Sequence, residues 1–169
     1  MSKCVAVVVS GEVVAGIDVG GTKKGFHAVA LCNGVLLDRF ASADPKAVAA
    51  WCRSIGARAV GVDASRHWSA DGRARPAERS LMRAEIHCFA SPTREAALAH
   101  PKNWYGWMLA GEALYAALRR GYRLAADPVA HALASSPSSP VVFETFPQAI
   151  ACVLAGSGDE IPLGLQFAT

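Results

Sequence analysis

The chain lacks the features that most quickly assign a small protein to a class. None of its five cysteines (Cys4, Cys32, Cys52, Cys88 and Cys152) forms a Cys-x-x-Cys pair. A zinc site or a disulfide framework is therefore not expected, and scattered free thiols point to a reducing compartment, the cytoplasm. No apolar run approaches the roughly 20 residues that a membrane-spanning helix needs. The apolar opening MSKCVAVVVSGEVVAG is interrupted by Glu12 and leads straight into a strand. It has no small-residue cleavage pattern and does not read as a signal peptide. Charge is scarce as well, at 18% of residues against 52% hydrophobic, which excludes a disordered chain. The formal charge of +3 admits a polyanionic ligand without demanding one. Internal repeats and domain boundaries are absent too, so the 169 residues read as one domain spanning 1–169.

What the sequence does contain is an acidic residue at the end of each of three apolar, strand-like runs. They are VVAGID at Asp18, AVGVD at Asp63 and VVFE at Glu144. Residues 13–18 are continuously apolar up to the carboxylate, the pattern of a strand buried on both faces. Gly20-Gly21 turns the chain, Phe26 to Cys32 form a second strand, and Asn33-Gly34 signals a tight hairpin into a third strand, Val35 to Phe40. Asp44-Pro45 then has the form of an N-cap followed by a first helical residue, opening a helix that ends at Gly56. Ala59 to Asp63 form the fourth strand. Residues 65–75 read as a loop, Pro76 to Glu85 as a helix, and 87–101 as irregular chain broken by Ser91-Pro92 and His100-Pro101. A longer helix is expected from about Asn103 to Arg120, ended by Gly121. Residues 134–140 suggest a surface loop, Val141 to Glu144 a fifth strand, and Pro147 to Leu154 a last helix.

Three antiparallel strands followed by two strands reached through helices define an α/β fold. Right-handed crossovers make the fourth and fifth strands parallel to the first. The expected architecture is a ribonuclease H-like three-layer fold: a mixed five-stranded sheet, antiparallel meander plus parallel strands, with helices on both faces. Asp18, Asp63 and Glu144 then emerge along one edge. Neighbouring strands lie about 4.8 Å apart, and paired cations in phosphoryl-transfer sites lie about 3.5–4 Å apart. Three carboxylates at that edge suit Mg²⁺ or Mn²⁺.

The strings AGIDVGGTKKGFHAVAL, VGVDAS with the downstream GRARPAERSLMR, and VVFETFPQA resemble the family known as domain of unknown function 429. That family comprises predicted nucleases with a ribonuclease H-like fold, and the resemblance runs from about Val13 to Leu154. It implies that Asp18, Asp63 and Glu144 are the acidic active-site positions and that Arg75 and Glu78 form an Arg-x-x-acid element. Two departures stand out. Ser65 occupies a position where the family usually has Pro. The chain also stops at Thr169 without the final helix that carries a further Asp in an Asp-Ala motif. Either another residue replaces that fourth ligand, or the chain is a truncated, inactive form; Asp159 and Glu160 stand in a different context.

The implied activity is metal-dependent hydrolysis of nucleic-acid phosphodiesters by a two-metal mechanism. Asp18, Asp63 and Glu144 would be metal ligands and catalytic residues, with Lys23, Arg75 and Glu78 for phosphate or substrate. An unpaired Asp is costly to bury after an apolar strand, which favours the metal role for Asp18 and Asp63. Glu144 is evenly balanced against a plain helix-capping neighbourhood. Lys23 and Lys24 fit solvated surface charge equally well, and pairing with Glu78 would explain Arg75. His67 and His100 read as ordinary loop residues. Trp104 and Trp107 read as core, with Tyr105 the more exposed ring. Two other functions compete. One is a degenerate, non-catalytic binding or assembly module whose uncovered sheet face pairs with a second copy. The other is suggested by DVGGTK, which resembles the first phosphate motif of sugar kinases in the actin-like superfamily, although the second phosphate motif and the adenosine-contacting strand are absent.

Overall fold

The computed structural model describes residues 11–125 and 139–154. Its centre is one mixed sheet. Strand β1 (Val13–Val19) is followed by a single helical turn, α1 (Gly21–Lys24), and then by β2 (Phe26–Cys32) and β3 (Val35–Ser42). Helix α2 (Pro45–Ser54) crosses to β4 (Ala59–Asp63). Helices α3 (Pro76–Arg83), α4 (Arg94–Ala99) and α5 (Gly106–Leu118) precede a two-residue strand, β5 (Arg123–Leu124). Strand β6 (Val141–Glu144) and helix α6 (Pro147–Leu154) complete the described chain. The strand order is β3-β2-β1-β4-β6-β5. The β1–β2 and β2–β3 pairs are antiparallel, whereas β4 runs parallel to both β1 and β6. A mixed α/β sheet with an interior first strand is what the residue pattern implied. The sixth strand escaped it because two residues are too few to show alternation.

Local chemistry accounts for the boundaries. Asn33 and Gly34 both take positive φ, 50° and 77°, as the tight turn between β2 and β3 requires. The Asp44 carboxylate accepts a hydrogen bond from the Lys46 amide at 2.9 Å, capping α2, with Pro45 supplying a preset φ behind it. Helix α4 lies inside the segment expected to be irregular. It fits between Pro92 and Pro101, starting on a Thr93 side chain that accepts from the Ala96 amide at 3.2 Å. Both prolines lie outside the helix and so flank it without breaking it.

The main core lies on one side of the sheet. Val48, Trp51 and Cys52 of α2 and Leu114, Tyr115 and Leu118 of α5 pack with Ile17, Val60 and Val62. Full burial of a side chain such as Leu114 contributes roughly 1.5–3 kcal/mol. Phe40 stacks on Trp51 with ring centroids 5.5 Å apart, and the Trp51 indole donates to Asp38 at 2.8 Å. Helix α5 runs close beneath the end of β4. A Cβ added at Gly111 would come within 2.7 Å of the Ala64 Cβ. A second, smaller cluster joins Leu81 of α3, Ile86 and Ala149 of α6.

Strand β1 departs from its sequence pattern. Val13, Ala15, Ile17 and Val19 are buried, but Val14, Gly16 and Asp18 are exposed, so the strand is covered on one face. Strand β4 is the one whose Val60, Gly61 and Val62 are all buried. An apolar run does not record how far the covering helices extend across a sheet; that is set by where α3, α5 and α6 come to rest.

Candidate active site

The carboxyl ends of β1, β4 and β6 form one edge. In the parallel pair β1–β4, Asp18 lies directly opposite Asp63, as Gly16 lies opposite Gly61. Residues in register share a face of a parallel pair, so the two aspartates leave the sheet on the same side. Asp63 is half-buried and its carboxyl is pushed above the ordinary range, first by burial and then by the negative charges of Asp18 and Glu144. The sheet therefore brings together the acids that the sequence marked at strand ends 45 and more residues apart in the chain.

Glu144 is placed differently. Its register partner on β4 is Val62, one residue short of Asp63. By the alternation of a strand it starts from the opposite side of the sheet. There the Arg75 guanidinium grips it with both ends: Nη1 donates to Oε2 at 3.0 Å and Nη2 to Oε1 at 2.6 Å. The Arg66 amide donates to the same Oε2 at 2.9 Å. Fork-to-fork pairing of this kind is among the stronger charge-assisted interactions a protein makes.

Arg75 also has its Nε on Glu78 at 2.7 Å and Nη2 on the Ser65 hydroxyl at 3.1 Å. Burial opposes the guanidinium charge, but Glu144 and Glu78 outweigh it and hold the arginine firmly protonated. Glu78 is 5% exposed. It accepts from the Arg75 amide at 2.8 Å and from the Ser91 amide at 3.1 Å, and also from the Ser91 hydroxyl. Burial alone would raise its pKa; the Ser91 and Arg75 hydrogen bonds reverse this and keep it below the ordinary value. The Arg-x-x-acid spacing is thus a helix start in which Pro76 follows the N-cap and Glu78 reaches back to it. Arg75 and Glu78 face each other and Glu144, and most of the guanidinium's donors are engaged within the protein.

A family model described as Protein of unknown function (DUF429) matches residues 16–160. The chain belongs to this family. No curated protein and no solved structure matches it. The DUF429 span includes Asp18, Asp63, Arg75, Glu78 and Glu144. The Ser65 hydroxyl accepts from Arg75 Nη2 at 3.1 Å and lies 2.9 Å from the Ser91 hydroxyl. Ser65 and Ser91 complete the arginine's surroundings, and no spacing rule would have selected Ser91, 13 residues from Glu78.

The other sequence candidates fall around this edge. Lys23 and Lys24 are exposed on α1. That turn closes on itself through Gly20 N–H to Gly25 O and Gly25 N–H to Gly21 O, both 2.8 Å. A Cβ at Gly21 would meet the Trp107 backbone at 3.4 Å, so α5 packs against the turn. His67 stands on the loop after β4, with much of the residue in solvent but the ring partly desolvated; that partial burial, and then Arg66 and Arg75, lower its pKa. Trp107 packs against the core as expected, whereas Trp104 is 62% exposed. The helix begins at Gly106 rather than Asn103, so helical spacing does not extend to Trp104. Asp159 and Glu160 lie outside the described residues.

Among the described residues, no three His, Cys, Asp or Glu side chains are grouped closely enough to make a ready site for a metal ion. Asp18 and Asp63 nonetheless present hard oxygen donors side by side, and a cation there would relieve the repulsion at Asp63. Mg²⁺ is commonly held by one or two carboxylates together with substrate phosphate, so this pair fits one such ion. Three of the roughly four acceptor sites of Glu144 are already taken by Arg75 and the Arg66 amide. Four cysteines, Cys32, Cys52, Cys88 and Cys152, are free thiols. No helix among the described residues is long and apolar enough to cross a membrane.

Proposed function

We propose that the protein is a metal-dependent nuclease of ribonuclease H-like architecture, hydrolysing nucleic-acid phosphodiesters at the Asp18–Asp63 edge. The observation that carries the reading is the register of β1 and β4, which sets these two acids directly opposite each other at parallel strand ends. Interior strands ending in adjacent, same-face carboxylates have little structural reason to repel one another unless a cation is to sit between them. Asp18 and Asp63 would hold Mg²⁺ or Mn²⁺. When bound, the ion would supply Lewis-acid polarisation of a phosphoryl oxygen and a more acidic water. Glu144, kept in place by Arg75 and the Arg66 amide, would shape the rim and set the negative potential felt at Asp63. The geometry supports one cation on two acids better than a symmetric pair of cations on three.

The test is Mn²⁺ titration by calorimetry, together with cleavage assays on labelled DNA and RNA. Asp18→Asn and Asp63→Asn should each abolish binding and cleavage while the far-ultraviolet dichroism stays unchanged. Undiminished Mn²⁺ binding in both variants would end the proposal. A second reading is favoured by one observation, the bidentate Arg75–Glu144 pair. With its third acid neutralised, the domain would be a non-catalytic binding module. Mn²⁺-dependent turnover by the wild-type chain separates the two.

A further inference from the structure

Arg75, Ala77 and Glu144 form a partition between two recesses of opposite character. On one side lies an apolar cavity of about 330 Å³, walled by Leu81, Phe89, Trp107, Phe146 and Ile150, with Asp63 also in its lining. On the other lies a groove of about 510 Å³ that contains Arg66, His67, Trp68, Arg73 and Arg79. Together with the partition, the groove carries four arginines against two acids, Asp71 and Glu144. We propose that the ligand is a single strand of nucleic acid, its phosphates following the arginine groove and one unpaired base entering the apolar cavity beside Asp63. The proposal names the substrate class of the nuclease site and rests on that reading for the role of Asp63: the phosphate that joins the inserted nucleotide to the strand, rather than those lying in the groove, would be the one presented to the Asp18–Asp63 edge.

Three features argue for this occupant. Phe89 is 72% exposed while lining the cavity and makes an edge-type contact with His87, ring centroids 5.5 Å apart, so a largely exposed aromatic ring stands at the rim, where a base can stack. The cavity and the groove meet at the same ion pair, which matches a ligand that is apolar and planar on one side and anionic on the other. A base inside a duplex keeps both faces stacked and its pairing edge occupied, so it cannot enter without leaving the helix.

The experiment uses the whole chain with a fluorescein-labelled oligothymidylate. Anisotropy is read in Ca²⁺ across a salt series, and cleavage in Mn²⁺. The strand should bind at least about tenfold more tightly than the matching duplex. Arg73 and Arg79 are exposed, so Arg73→Ala with Arg79→Ala should leave the fold intact and lower the log–log salt slope by about 1.4, roughly 0.7 for each phosphate no longer neutralised. Phe89→Ala should weaken binding by about tenfold with the slope unchanged, as removal of one stacked base would. An oligonucleotide carrying an abasic position at every site should bind the wild type and Phe89→Ala alike. Equal affinity for strand and duplex, or an unaltered salt slope in the double variant, would overturn the proposal. So would a Phe89→Ala variant that binds as tightly as wild type. Strand binding with these signatures but no Mn²⁺-dependent cleavage keeps the ligand class and removes the nuclease. Cleavage without strand preference does the reverse.

Discussion

Truncating Glu78 to Ala removes a carboxylate that is 5% exposed and accepts four hydrogen bonds, from the Arg75 amide and Nε and from the Ser91 amide and hydroxyl. The Ser91 amide, in a residue 3% exposed, is left without its acceptor, at about 1–3 kcal/mol. The cap that the Glu78 carboxylate places on the Arg75 amide at the start of α3 disappears, at about 1 kcal/mol. Breaking a buried ion pair costs about 3–5 kcal/mol when the surviving charge is stranded. Arg75 keeps Glu144, so only a fraction of that applies. The sum is about 4 kcal/mol, equivalent to a melting temperature lowered by about 8–16 °C in a domain of this size. Urea and thermal unfolding followed by circular dichroism at pH 7 provide the measurement. The pH dependence supplies a second readout. Because the folded-state pKa of Glu78 lies below the ordinary value, its stabilisation is present above that value and is lost as pH falls through the folded one. The wild type should therefore lose stability on acidification through that range, and Glu78→Ala should lack that part of the decline. A destabilisation smaller than about 1 kcal/mol at pH 7, with an unchanged acid limb, would refute this account of the network.

The pKa of Asp63 is shifted the other way, so its contribution is complete at low pH and declines as pH rises through its elevated folded value. Metal-free Asp63→Asn should accordingly melt higher than wild type at pH 7 and lack the decline in stability that the wild type shows as pH rises from the ordinary carboxylate value through the raised one; an identical profile would show that neither burial nor the charges of Asp18 and Glu144 disfavour ionised Asp63. Gly111→Val should be destabilising by about 1–3 kcal/mol, because even a Cβ at this position meets Ala64 at 2.7 Å. A neutral result in urea denaturation would mean that α5 and β4 are less closely apposed. Asp44→Ala removes the acceptor of the Lys46 amide and should cost about 1 kcal/mol in the same assay, with Asp44→Asn restoring most of it.

Much of the fold was legible because its signals are local. Asn33-Gly34, Asp44-Pro45 and the run from Ala59 to Asp63 each specify a turn, a cap or a strand from a handful of neighbouring residues, and those elements lie where the pattern placed them. Helix α4 was hidden because two prolines that flank it look the same in sequence as prolines that break it. Trp104 was misplaced because its three-residue spacing from Trp107 has meaning only if both lie in the helix, and the helix starts at Gly106.

The amino-acid order by itself determined that carboxylates would cap interior strands, since an apolar run ending in Asp or Glu is a property of adjacent residues. Which acids face one another was decided by register between strands, a quantity that alternates with every residue and has no trace in any one segment. Asp18 and Asp63 came level on one face; Glu144, a single position out of step, went to Arg75, 69 residues away in the chain. Pairings at that separation depend on how the sheet closes and where the loop after β4 folds back, and only three-dimensional packing sets these.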